Sequence, residues 1–235
     1  MTYPRPLRSI HQIEITTFCN LRCVYCPSPK QPELRQQEPM HMTRETFQRA
    51  LAWAVALNDA RDPARAELSL TGIGEPLLHP EFVEFVAMAR HRLPTQPLVF
   101  STNGILLTEA LCATLAPYRP QIHVSLHRPE KAGHAIQAAR RYGLLAAYNP
   151  APAIAAFDWA GQVPGWFVSA PPLVCEFLRS GWGVVLVDGR ITTCCLDASA
   201  KGVVGHVSDP IESLTAPGTG IKPFSLCPAC HMVQP

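Results

Sequence analysis

Three cysteines stand close together near the start of the chain, in the run Cys19-Asn-Leu-Arg-Cys23-Val-Tyr-Cys26. Cysteines at such short spacing, in a chain with no secretory signal, point to metal rather than to disulfides. Iron–sulfur clusters take cysteine thiolates and usually want four. Three cysteines with no fourth nearby leave one iron of a 4Fe–4S cluster open, and an open iron binds a small-molecule chelate. A structural zinc site is the alternative, but it wants four closed ligands. Neither His11 nor His41 is spaced to supply the fourth.

A second group lies near the other end: Cys175, Cys194 or Cys195, and the pair Cys227 and Cys230 of a CPAC run. Four thiolates close every iron of a 4Fe–4S cluster, and they suit tetrahedral zinc equally well. Spacing leaves the two open. His231, directly after CPAC, reads as incidental. Cys112 stands alone in an apolar helical pattern and reads as a buried core thiol.

The elements that must position these residues alternate between strand-like and helix-like. Residues 11–16, 66–71, 98–102, 121–126 and 144–148 read as strands. Helices are expected from Thr43 as N-cap to Leu57, over 80–91 with Pro80 in the first turn, after Thr108, and over 130–142. This alternation argues for parallel strands joined by right-handed crossovers. A closed eight-unit barrel takes about 250 residues, so residues 1–174 hold five or six units. The fold class is therefore α/β, a partial (β/α)6 TIM-like barrel. Residues 149–174 are proline-rich and read as a degenerate last unit or a lid. Residues 175–235 form the second unit, with a β-hairpin of 183–188 and 190–195 turning at Asp188-Gly189.

The first cysteine run follows the first strand, at the strand end where parallel α/β folds gather their chemistry. It resembles the CxxxCxΦC signature of the radical SAM superfamily, with Tyr25 as the aromatic. Three further stretches match that family in order. Thr71-Gly72-Ile73-Gly74-Glu75-Pro76 resembles its GGEP motif, with Ile73 between the glycines. Ser101-Thr102-Asn103-Gly104 ends the third strand. Ser125 ends the fourth in SLH, where the family often has SLD, so His127 takes the Asp position. The resemblance implies that the open iron binds the amine and carboxylate of S-adenosylmethionine (SAM). It implies that Tyr25 lies beside the adenine, and that Gly72, Gly74, Glu75, Pro76, Ser101, Asn103 and Ser125 contact SAM.

The tail Cys175-x13-Gly189-x4-Cys194, with Cys227 and Cys230, resembles the start of a SPASM domain in its shortened twitch form, which carries one auxiliary 4Fe–4S cluster. The spacing favours Cys194 over Cys195. By resemblance, one electron delivered to SAM yields methionine and a 5′-deoxyadenosyl radical. That radical takes a hydrogen atom from a substrate, and the auxiliary cluster accepts an electron. Oxidation of a small sugar-like or cyclitol-like molecule is the expected reaction; peptide crosslinking and a non-catalytic scaffold are the alternatives. His127, Arg128, Tyr148, Asp158 and Trp159 are candidates near the substrate, and flavodoxin or ferredoxin a candidate electron donor.

Bulk properties bound the partners. Hydrophobic residues make up 47% of the 235 positions and the formal charge is +2. That is ample for a core and offers no electrostatic footprint for nucleic acid. The most apolar run, Ala50 to Leu57, is far shorter than the ~20 residues of a spanning helix. The N-terminus lacks an apolar signal core, so a cytoplasmic location is expected.

Overall fold

The computed structural model describes residues 4–27, 39–62, 65, 67–150, 159–160, 162–163 and 175–230. Five strands come first: β1 (Ser9–Ile13), β2 (Leu68–Ser69), β3 (Leu98–Thr102), β4 (Gln121–Leu126) and β5 (Leu145–Pro150). Four helices connect them: α1 (Arg44–Leu57), α2 (Phe82–Arg92), α3 (Glu109–Leu115) and α4 (Pro129–Arg141). Then come α5 (Glu176–Ser180), β6 (Trp182–Val185), β7 (Arg190–Thr192), β8 (Val203–His206) and α6 (Glu212–Thr215).

All eight strands form one sheet in the order β5-β4-β3-β2-β1-β6-β7-β8. Strands β1 to β5 are parallel to their neighbours. β6 is also parallel to β1, while β7 and β8 run antiparallel. The sheet does not close, so the fold is a partial α/β barrel. The sixth parallel strand is β6, which pairs with β1, and the C-terminal hairpin of β6 and β7 continues the same sheet. Most of 149–174 lies outside the described residues.

Helix starts follow their caps. Thr43 accepts from Thr46 N, and Thr108 from Leu111 N, each satisfying one orphan donor of a first turn. Pro80 sits just before α2, not within it. There His79 Nδ1 accepts from Glu81 N at 3.0 Å, so its ring proton is on Nε2, which donates to Met42 O at 2.9 Å.

Strand parity sorts the faces. Phe100 packs edge-on against Phe82 of α2 at 4.9 Å, so it faces the helices. Ser101 therefore faces the barrel interior, opposite His123, and Ser125 shares that face. A closed barrel fills its interior with branched apolar side chains. Here Val99 and Val184 keep that character deeper in the sheet, while Ser101, His123 and Ser125 make the interior face polar toward the strand ends.

Strand ends differ from expectation where side chains replace ladder partners. Leu70 N still pairs with Val99 O at 2.8 Å, but Ser101 N then goes to Thr71 Oγ1 at 3.0 Å. After Ile13 the chain stays extended, and Met42 N and Thr17 N bond to Ile15 O and Met40 O. β7 stops at Thr192 because Asp197 collects Thr192 Oγ1, Lys201 N and Gly202 N at 2.7–2.9 Å.

The C-terminal unit is stitched to the barrel. Leu7 N donates to Leu214 O at 2.8 Å, Arg5 bridges Ile221, and Trp53 Nε1 of α1 donates to Val207 O at 3.1 Å. His11 stacks on Trp182 at 4.2 Å, with Phe177 edge-on at 5.4 Å. Burial pushes His11 down to about 4. Glu67, 3.8 Å away, is too far for a hydrogen bond and does not hold the ring charged. Among the described residues, no helix is long and apolar enough to cross a membrane.

A histidine neutral in the fold and protonated when unfolded stabilises above its unfolded pKa and loses that contribution as pH falls. Denaturant midpoints are therefore expected to fall between pH 6.5 and about 4. His11→Phe should make that fall shallower; an unchanged slope would contradict the assignment.

Candidate active site

The loops after β1, β2 and β3 are locked together before any cofactor is considered. Glu14, buried at the end of β1, accepts from Ile73 N at 3.0 Å. A Cβ on Gly72 would lie 2.2 Å from Glu14 Cγ, and one on Gly74 would lie 2.3 Å from Thr16 O. Glycine at both positions lets the β2 loop lie directly on the loop that carries the cysteines. Glu75 completes the lock. Its N–H donates to Phe18 O at 2.7 Å. Its buried carboxylate accepts from Leu77 N at 3.1 Å and from Thr102 Oγ1 and Asn103 N at 2.7 Å. Burial pushes this carboxyl above its usual range, and the three donors oppose the rise. Asn103 then reaches the cysteine loop itself, with Nδ2 donating to Asn20 Oδ1 at 2.7 Å.

These loops surround a cleft of about 200 Å³ that opens to solvent at the C-terminal ends of the strands. Cys19, Cys23, Tyr25 and Cys26 line one side; Gly72, Gly74, Glu75, Ser101, Asn103 and Ser125 line the rest, with His127 and Trp159. Pro76 does not line it; it is buried in the short 3-10 turn Pro76–Leu78. Leu21 N donates to Cys19 Sγ at 3.4 Å. Burial pushes the Cys19 and Cys23 thiols up, and the charge of Arg128 draws Cys23 back. The Tyr25 hydroxyl lies 2.7 Å from His127 Nδ1, and its proximity to Cys23 opposes that thiol's rise. Burial lowers the pKa of the His127 ring. Burial, with the Cys23 charge second, pushes Tyr25 up to about 12.

Cys175, Cys194, Cys227 and Cys230 line a second, much smaller pocket, shared with Ala160, Leu178, Thr193, Phe224 and Leu226. Leu196 N donates to Cys194 Sγ and Phe224 N to Cys227 Sγ, both at 3.3 Å. Cys195 does not line the pocket; it hydrogen-bonds Cys194 and is the first cause of that thiol's raised pKa, ahead of burial. Cys175 and Cys227 are raised chiefly by burial. Among the described residues, no three His, Cys, Asp or Glu side chains converge closely enough to hold a single metal ion.

The remaining candidates separate. His127 and Trp159 line the cleft, and Arg128 acts on it through charge. Tyr148 pairs with Val124 on the helix-facing side of β4, is 48% exposed, and has the Arg140 guanidinium 5.8 Å from its ring centre. That places it away from the cleft. Asp158 and His231 lie outside the described residues. Glu14, Asn20 and Thr71 were missed. Glu14 carried a signal, being a carboxylate on a strand that runs straight into the cysteine loop.

An open α/β barrel with three thiols beside glycine-bearing loops at its C-terminal mouth defines a cofactor-binding class of fold. The description of the Radical SAM superfamily matches residues 13–160, and the chain belongs to that superfamily. Membership implies a 4Fe–4S cluster and SAM. Over 129 residues the chain is 32% identical to GTP 3′,8-cyclase of Heliobacterium modesticaldum, covering 53% of this chain and 37% of that protein. It is 32% identical over 109 residues to PqqA peptide cyclase of Gluconobacter oxydans, covering 46% and 27%. The chain thus spans roughly a third of the length of these relatives. Among solved structures, BtrN in complex with AdoMet and 2-DOIA superposes with a TM-score of 0.70 at 23% identity, covering 87% of this chain and 80% of that one. AnSMEcpe with AdoMet and the Kp18Cys peptide gives 0.57 at 13%, covering 86% and 78%. These likenesses show a shared fold.

Gly74→Ala is expected to cost about 1–3 kcal/mol through overpacking against fixed backbone. Gly133→Ala, in α4 with nothing within 4 Å of the new methyl, should be neutral or stabilising by up to ~1 kcal/mol. Urea unfolding of the two variants checks both; equal effects would contradict the loop-contact account.

Proposed function

We propose that this protein is a radical SAM enzyme that oxidises a small hydroxylated molecule at the barrel mouth, with help from a second 4Fe–4S cluster. The observation that carries the reading is that Cys19, Cys23 and Cys26 open into the same cleft as Gly72–Glu75, Ser101, Asn103 and Ser125. These three thiolates would hold three irons of a cluster and leave the fourth for the amine and carboxylate of SAM. When bound, the pair would supply hydrogen-abstracting radical chemistry, and the second cluster would offer an electron acceptor.

The chain's own residues do the rest. Gly72 and Gly74 admit close backbone approach, and Ser101, Asn103 and Ser125 offer polar groups to SAM. Tyr25 lines the cleft where the adenine is expected. His127 lines the cleft and, with burial lowering its pKa, is placed to accept the hydroxyl proton, while Arg128 supplies positive charge nearby. Cys175, Cys194, Cys227 and Cys230 would hold the second cluster. Their thiols share one pocket, which supports a common centre held by all four. Ser101, His123 and Ser125 on the inner barrel face favour a hydroxylated substrate, a sugar or cyclitol. Peptide modification is the second reading, favoured by the sequence match to PqqA peptide cyclase. An electron donor of the flavodoxin or ferredoxin type and a cytoplasmic location complete the proposal.

Anaerobic reconstitution should give about eight irons per chain, and incubation with SAM and dithionite should release 5′-deoxyadenosine. Bound zinc, or no SAM cleavage at full iron loading, would overturn it. The second cluster has its own test. Cys194→Ser should halve the iron, whereas Cys195→Ser should keep it; the reverse pattern would move the ligand to Cys195.

A further inference from the structure

Two adjacent residues tie the cysteine pockets together. Trp159 lines the first cleft, and Ala160, 3% exposed, lines the second pocket. Both are non-glycine residues with left-handed backbone, φ 52° and 58°. Such a pair is sterically unfavourable and persists only where its surroundings over-determine it.

Gln162 provides that restraint. Its side chain is 5% exposed, and its Nε2 donates to both Trp159 O and Leu196 O at 2.6 Å. Ser199 Oγ donates to its Oε1 at 3.2 Å. Leu196 is also the residue whose N–H bonds to Cys194 Sγ. One carboxamide therefore fixes the strained turn against the loop that carries a thiol of the second pocket. A flexible linker would need neither the strain nor the restraint.

We propose that the Trp159–Ala160 turn is the shared wall of the two sites, with Trp159 a substrate-contacting residue that determines specificity. An indole offers a broad, rigid face to the C–H face of a ring, while a polar rim can be met elsewhere in the cleft by His127 and Ser125. Ala160 lines the pocket of the four cysteines with a side chain no larger than a methyl group. A substrate lying on Trp159 is then separated from the second site by one turn of backbone. This deepens the functional proposal above and rests on it.

Iron counting on the reconstituted full-length chain separates the two faces. Ala160→Leu should lose the second site's share, falling from about eight irons to about four, while Trp159→Leu should keep about eight. Ala160→Gly, which relieves the left-handed strain, should also keep about eight and shows that the position tolerates change. Gln162→Leu should release iron to a chelator several-fold faster than the parent, an outcome that stands even if Ala160→Leu fails to fold. The cleft face is read without any substrate: Trp159→Leu should retain SAM binding by equilibrium dialysis but raise substrate-independent 5′-deoxyadenosine formation several-fold, because the radical is less enclosed. Full iron in Ala160→Leu, iron loss in Trp159→Leu, an unchanged chelation rate in Gln162→Leu, or a SAM affinity that collapses with Trp159 would each overturn the proposal. Failure of the parent chain to take up iron or cleave SAM would instead overturn the functional reading beneath it.

Discussion

The buried carboxylate of Glu75 is the constraint on which the site depends. It gathers Leu77 N, Thr102 Oγ1 and Asn103 N, while its own N–H is spent on Phe18 O. Through these bonds the ends of β2 and β3 are fixed to the loop that carries Cys19, Cys23 and Cys26. A buried carboxylate is costly unless its lone pairs are filled. Here they are filled by the loops that must be aligned. Gly74 makes the approach sterically possible, and Glu75 makes it energetically favourable.

The same logic separates the two cysteine sites. In the first, thiols stand at the edge of a solvent-open cleft, where burial raises Cys19 and Cys23 and a tyrosine hydroxyl and an arginine charge oppose the rise at Cys23. In the second, burial and mutual contact raise the thiols, and two N–H groups are already aimed at sulfur. Thiols held in this way lose their protons most readily to a bound cation. One site has room for a further ligand, whereas the other is small and enclosed by side chains.

Much of this was legible in the residue order, because it is local. The cysteine spacings, the threonine caps at Thr43 and Thr108, and the Asp188-Gly189 turn each depend on neighbours within a few positions. What was not legible depends on distant partners. β6 pairs with β1 across some 170 residues of sequence, so nothing near Trp182 announces that the hairpin extends the barrel. β2 ends early because Thr71 Oγ1 replaces a backbone acceptor, a substitution invisible to propensity. Tyr148 was a plausible active-site tyrosine until strand register assigned it to the helix side. Gln162 carried no signal at all, since its role lies in joining Trp159 to Leu196.

The central claim is that the first site has an open iron for SAM and the second does not. Electron paramagnetic resonance of the dithionite-reduced, fully reconstituted chain tests it most directly. The account predicts that adding SAM shifts the g-values of one 4Fe–4S signal and leaves a second unchanged. Two unaffected signals, or two signals that both shift, would contradict it.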